Sequence, residues 1–214
     1  MPVVVTLSAA RSLGDLKARI ADELARSDLT AQIALAIDDA ISEAATHRFW
    51  FNEVRGLTFP LTAGQEYYGN EDLSALTEID DLWLAVGSQR RNLRPASDIS
   101  LDGLNDGMQS RGEPYLWSRY SDGFRFYPVP TQGYIVTVDG VTRFAPLGDD
   151  ANTNPWIVEG ERYIRALAKR NLYAEVIRDA DEAQTMDALA RRYREELFAQ
   201  TSDRIGTGQV ACYA

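Results

Sequence analysis

One cysteine, one histidine and only two lysines stand among 214 residues. A lone Cys212 excludes an internal disulfide framework, and with His47 far away in sequence it has no neighbouring imidazole to hold a thiolate. A lone His47 excludes any site that needs two imidazoles, and no Cys-x-x-Cys or Glu-x-x-His spacing occurs. Phosphate-cradling loops are missing too: there is no Gly-x-x-x-x-Gly-Lys-Ser/Thr, and no Gly-x-Gly-x-x-Gly opens a helix. No apolar run is long enough to span a bilayer, and the apolar start Met1–Ser8 has no basic residue ahead of it. The expectation is a chain made in the cytoplasm that is neither secreted nor membrane-spanning. Positive charge is in short supply: 22 Lys+Arg face 32 Asp+Glu, for a formal net charge of −10. A surface that grips nucleic acid or anionic lipid by neutralising phosphates needs the opposite balance.

What remains is an ordinary soluble globular composition, 45% apolar and 25% charged, long enough to bury a sizeable core. Apart from Lys17 and Lys169 all cations are arginines. Arginine suits planar, multi-donor contacts and interfaces; coding bias gives the same count.

The chain reads in three blocks. Leu13, Leu16, Ile20 and Leu24 recur at helical spacing behind Ser12, an N-cap with Asp15 as its acidic partner. Ser27-Asp28 breaks this helix and is placed to cap a second, marked by Ile33, Ile37 and Ile41 and expected to end near Phe49-Trp50-Phe51. Together they make an antiparallel hairpin. The middle block is punctuated by glycine and proline. It offers strands at Leu57–Leu61, Ile79–Val86 and Tyr134–Phe144, the last split at Asp139-Gly140, and a short helix capped by Ser97-Asp98 and bearing Leu101, Leu104 and Met108. Asp122-Gly123 between Tyr115–Tyr120 and Phe124–Tyr127 is a hairpin signal. The last block opens with Pro155 in the first turn of a helix. Tyr163, Ile164, Leu167, Leu172, Val176 and Ile177 ring a well-buried helix, and after a break near Arg178–Asp181 a further run carries Met186, Leu189, Ala190, Tyr193 and Leu197. From Thr201 the apolar pattern stops.

These blocks predict an α+β fold: an N-terminal helical hairpin, a central antiparallel β-region of sandwich or barrel type, C-terminal helices and an extended tail. They are taken as one domain over residues 1–200 (hairpin 12–51, β-rich 54–148, helices 155–200) followed by a tail at 201–214. Net charge is uneven along the chain, with 5 basic and 8 acidic side chains in residues 1–53, 8 and 14 in 54–154, and 9 and 10 in 155–214.

Candidate chemistry is sparse. His47 reads as a helix-end surface group. The acid pairs Glu71-Asp72, Asp80-Asp81 and Asp149-Asp150 invite calcium or glycoside chemistry, but adjacent strand residues point to opposite faces, and solvated surface is the better reading. Tyr115, Trp117, Tyr120, Phe124, Phe126 and Tyr127 offer a platform for a sugar or a base; in a hairpin such a set is more often core on one face and rim on the other.

The order of parts is distinctive. Phe49-Trp50-Phe51 is followed by Phe59-Pro60-Leu61-Thr62-Ala63-Gly64-Gln65-Glu66-Tyr67-Tyr68, then Gly112-Glu113-Pro114-Tyr115, Phe124-Arg125-Phe126-Tyr127-Pro128-Val129-Pro130, a strand from Tyr134, and the polar Asp149-Asp150…Asn154-Pro155-Trp156 loop before an Ala-, Leu- and Tyr-rich helix. This resembles the head-to-tail adaptor (connector) proteins of tailed bacteriophages over roughly residues 28–200, most densely at Gly112–Pro130. The extra Asp139-Gly140 and the segment up to Leu24 depart from the pattern.

The resemblance implies a structural virion protein without catalytic residues, metal or cofactor. It implies a self-assembled ring, commonly a dodecamer, beneath the portal protein at the head–tail junction, put together in the host cytoplasm. Tail or nozzle proteins would dock on it, and DNA would pass through during ejection without specific binding. The family's C-terminal extension reaches the portal; here that segment is about Thr201–Ala214, and Ile205, Val210 and Tyr213 are its portal-contact candidates. A segment too polar to fold alone can order on a partner, and an acidic channel wall repels DNA rather than holding it. The alternatives are another tail-completion or tail-tube protein, a small-ligand or carbohydrate-binding module built on the Tyr115–Tyr127 aromatics, and an enzyme with an acidic site.

Overall fold

Serine 12 closes a capping box on the first helix: its hydroxyl accepts from the Asp15 amide at 3.2 Å while the Asp15 carboxylate accepts from the Ser12 amide at 3.0 Å. Helix α1 (Leu13–Glu23) thereby starts where the sequence places it, with Leu13, Leu16 and Ile20 buried. The structure, a computed structural model, describes residues 11–69, 76–104, 109–120 and 123–206. Helix α2 spans Thr30–Ala44 and begins at Leu29 without a side-chain cap. Asp28 does not cap it; its carboxylate instead takes two hydrogen bonds of 2.8 Å from the Arg26 guanidinium. The helix also stops well short of Phe49, and the aromatics lie in the turn beyond it.

The chain forms two compact units, residues 1–51 with 144–214 and residues 52–143. The first gathers the helices from both ends of the sequence. After the loop at 144–154, the Asn154 side chain caps a short turn, α4 (Pro155–Val158), by accepting from the Ile157 amide at 3.1 Å. Helix α5 (Glu161–Asn171) then runs through the middle of the unit, with Tyr163, Ile164, Ala166, Leu167 and Ala168 buried. It ends in a π-helical turn, Leu172–Ile177, and a left-handed Arg178 at φ 62°. This is the expected break. Helix α6 then extends 27 residues, Ala180–Gly206, about 40 Å at 1.5 Å per residue. Its buried Met186, Ala190, Leu197 and Thr201 recur at spacings of four or seven, so the helix continues past the tail boundary expected at Thr201.

The second unit is a sandwich-like pair of sheets. Strands β1 (Glu53–Pro60), β10 (Ile135–Thr142), β3 (Leu76–Val86) and β4 (Gln89–Asn92) form one antiparallel sheet in that order. Strands β2 (Tyr67–Tyr68), β8 (Gly123–Tyr127), β7 (Leu116–Tyr120) and β5 (Arg94–Pro95) form the other, in which only the β5–β7 pairing is parallel. A small parallel pair, β6 (Arg111–Gly112) with β9 (Val129–Pro130), and the helix α3 (Asp98–Leu104) complete it. Phe59, Leu82, Leu84, Val136 and Val138 from the first sheet meet Tyr68, Phe124 and Phe126 from the second in one core. Ser97 caps α3 through the Ser100 amide at 3.2 Å, as the sequence indicates.

Two glycines act differently from expectation. Gly140 does not split β10. It sits at a bulge opposite Ile79, and a Cβ there would overlap the Glu78 carbonyl oxygen; the slip turns Val141 inward after Val136 and Val138. Gly123 lies in β8, paired with Tyr120, rather than at a turn centre. A Cβ there would overlap the Tyr68 carbonyl, so glycine lets β2 approach.

Candidate functional site

Of the three portal-contact candidates, Ile205 lies in the last turn of α6, while Val210 and Tyr213 lie outside the described residues. The helix that carries Ile205 is held on the aromatic end of the first unit. The Thr201 hydroxyl accepts from the Trp50 amide at 3.4 Å and donates to the Leu197 carbonyl at 2.8 Å. The Arg204 guanidinium lies 4.4 Å over the Trp50 ring. Beneath them Phe198 packs on Phe49 at 4.9 Å between ring centres, and Phe49 in turn meets Phe51, Trp156 and Tyr163 at 5.6–6.4 Å. The segment 201–204 is therefore part of the folded unit, and a tail proper begins no earlier than Thr207. The clue in sequence is that Thr201 and Arg204 keep the helical spacing from Leu197 with polar side chains.

His47 belongs to the same cluster. Its ring stands edge-on to Phe198 at 5.9 Å and to Phe49 at 6.4 Å, so it is not the helix-end surface group expected from its position. Burial pushes its pKa below the usual 6.5, helped by the nearby Arg194 charge and opposed by Glu43.

An ionic lattice ties α1 to α5. The Glu161 side chain, 6% exposed, accepts from Arg11 at 2.8 Å, Arg19 at 3.2 Å and Arg165 at 2.9 Å. Glu23 receives Arg165, Lys169 and Arg19. Burial alone would raise the Glu23 pKa, but the Lys169 hydrogen bond and the Arg165 and Lys169 charges hold it below the ordinary value. Arg170 on α5 bridges Glu43 of α2 and Asp187 of α6.

In the β-unit the buried arginine is Arg125, 4% exposed and bonded to Glu66 at 2.7 Å, Asp98 at 2.8 Å and Asp102 at 2.7 Å. It also lies 5.3 Å over Tyr67. Burial disfavours its charge, yet the three carboxylates more than offset that and raise its pKa. The arrangement fastens α3 and the segment before β2 to β8. The sequence gives no sign of it beyond a charged residue alternating with Phe124 and Phe126.

The remaining candidates do not converge. Phe124, Phe126 and Tyr127 are buried and Trp117 is half-buried against the core, so of the aromatic set only Tyr115, 52% exposed, stands out among the described side chains. The proposed sugar or base platform is core. Asp150 pairs with Lys17 at 2.7 Å, Asp81 of the Asp80-Asp81 pair accepts from the Asn92 side-chain amide at 3.3 Å, and Glu71-Asp72 lies outside the described residues. Among the described residues no cluster of His, Cys, Asp and Glu is arranged to hold a metal, and no helix is long and apolar enough to cross a membrane.

No curated protein matches the chain. The family model described as SU10 adaptor protein matches it over residues 11–211, which takes in both units and every element from the capping box at Ser12 to the last turn of α6. With nearly its whole length matched, the chain belongs to the SU10 adaptor proteins, a family of phage head-to-tail adaptors.

Proposed function

We propose that the chain works as a ring component beneath the phage portal, extending the DNA channel and joining the capsid vertex to the tail. The observation that carries this reading is the family match across residues 11–211. The partners are the portal above, tail or nozzle proteins below, and further copies of the chain at its sides, most simply as a dodecamer. The protein would be assembled in the host cytoplasm and retained in the virion.

Portal contact falls to Ile205, Val210 and Tyr213. Anchoring by Thr201 and Arg204 supports this, because it fixes the end of α6 from which the chain continues to these residues. A segment that orders only on its partner binds reversibly and can wrap a large surface. The net charge of −10 supports passage of DNA without capture. Removing residues 207–214 leaves the buried Thr201 and the Trp50 contact in place and tests the segment without unfolding its base. The expected result is a folded protein whose binding to the cognate portal falls by at least about tenfold; unchanged binding would remove Val210 and Tyr213 from the interface.

A further inference from the structure

Helix α5 lies between α2 and α6 and packs on both, which leaves an outward face on each flank of the helical unit. The two faces differ in charge and shape. Helix α2 has the sequence TAQIALAIDDAISEA, with no basic residue. Its outer face presents Leu35, 66% exposed, and one turn further on Asp38 and Asp39. Both aspartates are exposed and, among the described residues, neither has an ion-pair partner. The outer face of α6 repeats this spacing with the opposite sign: exposed Ala188 is followed one turn on by Arg191 and Arg192, 69% and 66% exposed. The small Ala188 leaves shallow hollows walled by Gln184, Leu189, the two arginines and the acidic Asp181, Asp187 and Glu195.

We propose that the α2 face of one copy docks on the α6 face of the next. Leu35 fills the hollow over Ala188, and Asp38-Asp39 meet Arg191-Arg192. An apolar knob one turn from paired acids matches a hollow one turn from paired bases, and that complementarity identifies the occupant as a second copy of this chain. The arginines also pair within the chain at i,i+4, with half-buried Asp187 at 2.7 Å, which Arg170 shares, and half-buried Glu196 at 3.0 Å; surface pairs of this kind hold weakly. Joining two different faces is a heterologous contact, which closes into a ring when the rotation per copy allows. The inference rests on the ring reading above and names the surface that would build it.

The test compares the full-length chain with three variants by sedimentation and light scattering over a range of concentration: Asp38→Arg/Asp39→Arg, Arg191→Asp/Arg192→Asp, and the two combined. All four positions are exposed, and circular dichroism checks that the helices are retained. The expected result is that each reversal weakens self-association by about tenfold or more and that the combined swap restores it. In a Cys212→Ser background, a mixture of Leu35→Cys and Ala188→Cys chains should form a disulfide-linked dimer that neither forms alone. A parent chain that assembles while both reversals assemble equally well, without cross-linking, would overturn this interface and leave the ring reading standing. A parent chain that stays a single copy, alone and with the cognate portal, would overturn both.

Discussion

Arg125 fastens helix α3 and the segment before β2 to strand β8. A guanidinium buried to this extent keeps its charge only because Glu66, Asp98 and Asp102 surround it, and removing it leaves carboxylates gathered without a counter-charge. Arg125→Ala should cost about 3–5 kcal/mol, measured as a fall in the denaturant midpoint of the β-unit. Arg125→Lys should recover only part of the loss, because an ammonium is a point charge and cannot bond several carboxylates as a planar fork does. The helical unit offers a cleaner residue-scale probe, since His47 is the sole histidine and gives a single unambiguous titration. Its pKa in the fold is depressed by burial among Phe49 and Phe198. The neutral ring is therefore favoured by folding; its contribution is complete above pH 6.5 and is lost as pH falls through the lowered value. A proton NMR titration should place the midpoint below 6.5, whereas a midpoint at or above it would contradict the packing described.

At the scale of elements, steric fit decides where strands bend and helices stop. Gly140→Ala would push a Cβ into the Glu78 carbonyl at the β10–β3 bulge, and about 2–4 kcal/mol of destabilisation is expected. Gly87→Ala, at φ 59° in the turn before β4 with open space around it, should cost only about 1 kcal/mol. Thermal unfolding of the two variants separates overlap from backbone preference. The same element scale explains what could be read from the chain. Helix α1 was legible because Ser12, Asp15 and the Leu13–Ile20 spacing all point to one answer, and Pro155 and Ser97 mark real helix starts. Strand β4 was hidden because Gln89-Arg90-Arg91-Asn92 is exposed throughout and owes its conformation to backbone bonding with β3, which leaves no alternation. The last turns of α6 were hidden because the buried position there is the polar Thr201 and the exposed Arg204 lies over Trp50. Gly140 signals a turn in sequence and a bulge in space, since only the partner strand shows which is required.

For the whole molecule, the division into units changes what the acidity means. Along the sequence the β-rich middle holds most of the negative charge and the C-terminal third is nearly neutral. In the fold, residues 52–143 carry 8 basic and 13 acidic side chains, and the remaining residues carry 14 and 19. Each unit therefore has the same net charge of −5, because α1, α2 and the Asp149-Asp150 loop join the C-terminal helices. The acidity is a property of both units, so a surface of either one turned toward passing DNA would repel it. Local complementarity, such as α2 against α6, must then overcome a general repulsion between copies, and assembly should strengthen as salt screens the net charge until the specific pairs are screened as well. The central claim, that this adaptor completes a ring on the portal, is tested most directly by the mass and image of the purified chain with and without its cognate portal. Light scattering and electron microscopy should find a ring of the chain seated on one end of the portal, with a mass step equal to a whole number of copies. A portal that keeps its own mass, with the chain remaining free as single copies, would contradict it.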